Sequence, residues 1–181
     1  TRLVAVLVDL RHVVRLAIGA APAGTGNGAA NAMRRLDRSW HDLRIALRPM
    51  RTQRVFVWNP NVELATGSLL ACLHWARALG HTCERTRTAS PTLDAVSLHQ
   101  HGASILANLD ALIAQYNTSD TASLDTDTCA KEVELARVDH PDVALALTQL
   151  DGALTQFAER FGQGVAKPRL KLNWALAARD A

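Results

Sequence analysis

The sequence predicts an α/β protein, a mostly parallel sheet flanked by helices with a helix-rich C-terminal half. Three observations predict it. Leu3 to Val8 is apolar at every position and β-branched at three, as in a strand buried on both faces. Val55 to Trp58 is a second apolar run, stopped by Asn59-Pro60. Glu63 to Leu79 reads as a helix closed by Gly80, and His81 to Thr86 as a more exposed strand. Residues 54–88 then make one βαβ unit with a right-handed crossover.

Composition bounds the rest. A chain of 181 residues with 48% apolar and 20% charged residues suits one domain or two small lobes and can bury a real core. No apolar run reaches the roughly 18 to 20 residues that span a bilayer, so no membrane partner is expected. Leu3 to Leu10 is too short, carries Asp9 and lacks the shape of a secretory signal. Cys72, Cys83 and Cys129 form no disulfide framework, which fits a reducing compartment and a cytoplasmic location.

The net charge of +3 is unevenly spread. Residues 1–90 carry 13 Arg against five acids, and residues 91–181 carry seven Arg plus Lys against 12 acids. A basic half attracts phosphates. The competing expectation is that it docks on the acidic half or on another subunit.

Taken in order, the first strand candidate ends at Asp9, with Arg11, His12 and Arg15 close behind. Asp9 there could be the first acid of a PIN-like or NYN-like metal-dependent nuclease. The favoured alternative is a carboxylate that caps a turn or pairs with Arg11, because the second strand candidate ends in Asn59 and not in an acid. Gly19 to Gly28 is glycine-rich, yet it matches neither the dinucleotide fingerprint nor the Walker pattern and reads as a surface connection.

Met33, Leu36, Trp40, Leu43 and Leu47 define one helical face over residues 31–48, ended by Pro49. The arginines lie off that stripe, with Arg38 and Asp42 placed as an i,i+4 pair. No aromatic residue interleaves with them, so a solvated face is favoured over a nucleic-acid groove. In the next helix Leu69, Leu70, Leu73, Ala76 and Leu79 face inward. Cys72, His74, His81 and Cys83 are zinc-ligand types, but Cys72 and His74 stand two apart on a helix and diverge. Leu93 to Tyr116 reads as a long helix, residues 117–128 as an acidic linker, and residues 143–161 as a last helix entered through His140-Pro141-Asp142. Leu170 to Trp174 is another strand candidate. The helix-to-strand stretches ending in VFVWN and LKLNW repeat at an offset of 114 to 115 residues, as two related halves would. Residues 1–116 are thus assigned to an α/β core, 117–142 to a linker or loop, and 143–181 to a C-terminal helix and strand.

The order VLVDL, helix, RVFVWN, then NPNVELATGSLLACLHWARALG resembles half of a SAVED domain, a paired relative of the CARF fold. The likeness covers residues 3–88 and rests on Asn59, Pro60, Ala65, Gly67 and Ala71. It implies a Rossmann-like fold and the binding of cyclic oligonucleotide second messengers in bacterial antiviral defence.

The sequence therefore favours a non-catalytic sensing module without a cofactor. Its partner would be a phosphate-bearing small molecule or nucleotide, with a protein partner or homo-oligomer as a further option. Arg11, Asn59, Asn61, Gly67 and Ser68 are its candidate ligand-binding residues. Ligands of βαβ units sit at strand ends and helix N-termini, and small residues over 65–68 would leave amides open to an anion. No nucleophile has a motif around it, since Gly67-Ser68 lacks the Gly-x-Ser-x-Gly elbow. A nuclease centred on Asp9 and a structural assembly subunit are the alternatives.

Overall fold

The structure is a computed structural model and describes residues 2–19, 28–52, 60–89, 95–118, 124, 128–133 and 140–165. Every described residue except Ile18, Gly19, Leu124 and His140 is helical. The predicted parallel, Rossmann-like sheet is absent among them, and the fold is all-α. The helices are α1 (Arg2–Ala17), α2 (Gly28–Thr52), α3 (Pro60–Ala89), α4 (Ala95–Thr118) and α6 (Pro141–Val165). Residues 128–133 belong to a further helix, α5.

The run read as a buried strand is α1. Its buried residues are Leu3, Val6, Leu7, Asp9, Leu10, Val13, Val14 and Ala17, spaced by three and four as a helix requires. It is apolar nearly all round because α2, α3 and α4 pack against it on three sides. Its solvent face is Ala5, Val8, His12 and Arg15, and the first two are apolar, so residues 3–8 show no polar position. Valines are mediocre helix formers, but tertiary burial outweighs a propensity cost of a few tenths of a kcal/mol each. The helix ends where Gly19 takes a φ of 77°, a left-handed conformation that favours glycine.

The second correction concerns Gly80 and the strand placed after it. α3 runs through Gly80 to Ala89, and Ala65, Leu69, Cys72, Leu73, Ala76, Leu79 and Cys83 make one buried helical stripe. Gly80 is a contact point: a Cβ there would stand 3.1 Å from Met33 Cε of α2. Leu70, expected to face inward, is 49% exposed. α2 likewise continues past Pro49 to Thr52, since a proline removes one helical hydrogen bond without forbidding a following turn. Val6 is buried as expected, but in a helix. Val55, Val57, Asn59, the strand candidate 170–174 and hence the strand ends of both halves of the sequence repeat lie outside the described residues.

Contacts join α1 to α3, α3 to α6, α6 to α4 and α4 back to α1, so these four helices close a bundle. Arg2 reaches the Asp42 carbonyl and Asp9 pairs with Arg35, which makes α2 antiparallel to α1. Arg11 meets Asp110, and Gly102 abuts Ile18, so α4 is also antiparallel to α1. α2 lies outside the ring, packed on α1 and touching α3 through Arg77 and Asp37. The core runs through Leu7, Leu10, Leu73, Leu109, Leu147, Leu154 and Phe157 of the ring, with Leu36 of α2 fully buried against it. Burying each such side chain contributes about 1.5 to 3 kcal/mol. Pro141 opens α6 at the position where a missing N–H costs least, and the His140 carbonyl accepts the Ala144 N–H at 2.9 Å.

Candidate functional site

The residues expected to cradle an anion fall on different seams. Arg11 projects from α1 toward α4, where Nε lies 2.7 Å from Asp110 Oδ1. Ser68 lies inside α3, buried at 3% exposure. Its hydroxyl donates to the Leu64 carbonyl at 3.1 Å and accepts from Arg160 of α6 at 2.9 Å. Gly67 is exposed with open space around it. Asn61 is in the first turns of α3, and Asn59 is outside the described residues. Because α3 begins at Pro60, residues 65–68 are helix interior, and their amides point at carbonyls four residues back.

Asp9 is buried in α1 and pairs with Arg35 of α2 at 3.2 Å, not with Arg11. Among the described residues no three His, Cys, Asp or Glu side chains converge as a metal site. Cys72 and Cys83 are buried, whereas His74 and His81 are exposed. Burial pushes the Cys72 thiol up to about 12, so it stays protonated and a poor nucleophile near neutral pH.

Sequence reasoning missed a polar cluster where α4, α5 and α6 meet. Asn108 is 2% exposed, Ser104 is 7% exposed, and the Cys129 side chain is fully enclosed. Asn108 and Cys129 hydrogen-bond the Asp151 carboxyl, while burial raises its pKa above the ordinary value. Its Oδ1 is enclosed without a hydrogen-bond partner. One turn away, Glu132 accepts the Ser104 N–H at 3.0 Å. The signal was available: Ser104 and Asn108 fall, one turn apart, within the apolar stripe of α4. The cluster joins three helices through short-range hydrogen bonds.

The outer face of α2 is different. Arg34, Arg38, His41 and Arg44 are all exposed, within a sector of about 120° at 100° per residue. The predicted Arg38–Asp42 pair does not form, and Arg38 and Arg44 have no ion pair among the described residues. Asp37 is taken by Arg77 of α3, and Arg35 is taken by Asp9. One carboxylate on this helix, Asp42, is left without an ion pair beside these arginines. Among the described residues no acid of α4, α5 or α6 pairs with this face, and α2 packs chiefly on α1. Trp40 turns toward the core, which leaves His41 as the one exposed ring on the face.

Comparison with protein-family models, with curated proteins and with solved structures returned no match. No described helix is long and apolar enough to cross a membrane.

Proposed function

We propose that this chain is a non-catalytic binding module that takes a phosphate-bearing partner on the outer face of α2. The observation that carries the reading is the set of exposed guanidinium groups, Arg34, Arg38 and Arg44, none of which forms an ion pair among the described residues. Guanidinium groups match phosphate oxygens in charge and geometry. The assembly-subunit reading has less support. Leu64 and Leu70, both about half exposed, point about 120° apart around α3, and scattered surface leucines need no partner.

The test is a binding panel at low salt containing a nucleoside triphosphate, cyclic oligonucleotides, inorganic polyphosphate and an oligonucleotide. The parent should bind at least one member, and R34E/R38E/R44E should lose that binding more than tenfold with an unchanged unfolding midpoint. Binding of none by the parent, or equal binding by the variant, sinks the proposal.

A further inference from the structure

We infer that the phosphate-bearing partner is a polynucleotide gripped by its sugar–phosphate backbone, not a single nucleotide; this rests on the α2 reading above. Three properties of the surface lead there. The first is shape. α2 is an outer layer, seated on the bundle through Ala32, Leu36 and Leu43, and its far side is convex. Small-molecule sites are concave and bury most of their ligand, which a convex helix face cannot do.

The second property is spacing. Arg34, Arg38 and Arg44 are distributed over about 15 Å of helix at 1.5 Å per residue. One phosphate group reaches at most the i,i+4 pair Arg34 and Arg38, whereas a chain of phosphates meets all three. The third is composition. Trp40 faces inward and the face carries no Phe, Tyr or Trp ring, so the small His41 imidazole is the single ring there beside a base. Backbone contact positions a nucleic acid without reading it, while readout needs groups at base edges or stacked rings. The complex is therefore sequence-independent and strongly salt-dependent.

Counterion release gives the magnitude. Three phosphate contacts to duplex DNA predict a slope of about −2.7 in log K against log salt, and about −2.1 for a single strand. For the duplex this is a loss of roughly 40-fold between 50 and 200 mM salt.

The experiment is fluorescence anisotropy with a labelled duplex and a labelled single strand of equal length, across that salt range. ATP and poly-glutamate serve as competitors at equal charge concentration. The parent is expected to bind a polymer with a slope between those two values. Arg38→Ala should lower the slope by roughly one contact, about 0.7 to 0.9. ATP and poly-glutamate should each compete at least tenfold worse than unlabelled oligonucleotide. Competition by ATP equal to that of the polymer overturns the polynucleotide inference but leaves the phosphate-binding reading standing. Competition by poly-glutamate equal to that of the polymer overturns both and points to an acidic protein surface. A slope near zero, or one unaffected by Arg38→Ala, also overturns the inference. Circular dichroism of Arg38→Ala confirms that the comparison is between folded proteins.

Discussion

Arginines occupy two kinds of place in this molecule. Arg11 and Arg160 lie in seams between helices, where Arg11 forms an ion pair with Asp110 and Arg160 donates to Ser68 and the Leu64 carbonyl. Arg34, Arg38 and Arg44 lie on the outer face of α2. The side chains are chemically identical, so position decides their role. In the seams a guanidinium joins helices and has fewer donors left for a ligand. On α2 it contributes little to stability, because exposed charges are solvated and screened. The sequence-based site put Arg11 and Ser68 in one cleft, whereas the structure places Arg11 between α1 and α4 and Ser68 between α3 and α6.

The contrast between seam and surface can be broken most forcefully within α1. Leu7 is fully buried and Val8, its neighbour, is 41% exposed. Leu7→Ala should cost about 2 to 5 kcal/mol, and Val8→Ala should stay within about 0.5 kcal/mol. Urea denaturation of the two variants measures the difference, and equal costs would contradict the placement of α1. A smaller effect is expected in the α3–α6 seam. Ser68→Ala should lose about 1 kcal/mol, because the Arg160 donor keeps only its longer contact to the Leu64 carbonyl; no change at all would remove that seam from the account.

The subtlest effect belongs to Asp151. Burial raises its folded pKa above the unfolded value near 3.8, so the folded state holds its proton more tightly. Its contribution to stability is complete below that value and is lost as pH rises through the folded pKa. The stability of the parent relative to Asp151→Asn should therefore fall as pH is raised from about 3.5 toward neutrality. Parallel pH profiles of the two proteins would rule out the buried carboxyl.

How much of this was legible depends on how each helix is surrounded. α2, α4 and α6 each show a periodic apolar face, and their positions were readable to within a few residues. α1 was not, because its exposed positions Ala5 and Val8 are apolar, and a short apolar run is then indistinguishable from a buried strand. The chain's own 3.6-residue rhythm survives only in which apolar positions are deepest. Gly80 misled for a related reason: the residue that caps a helix is also the one that lets another helix approach, and only the presence of Met33 separates the two. The basic face of α2 was visible in the sequence. What the sequence concealed was the fate of its acids, since Asp37 is drawn off by Arg77, 40 positions away.

The central claim is that the arginines of α2 bind while the seams hold the fold. Its most direct test measures duplex binding and urea midpoint on the same preparations of the parent, R34E/R38E/R44E and Ser68→Ala. The account predicts that the α2 variant loses binding more than tenfold and keeps its midpoint, whereas Ser68→Ala keeps its affinity and unfolds at lower urea. An α2 variant that unfolds early, or a Ser68→Ala variant that loses binding while its midpoint stays fixed, would contradict it.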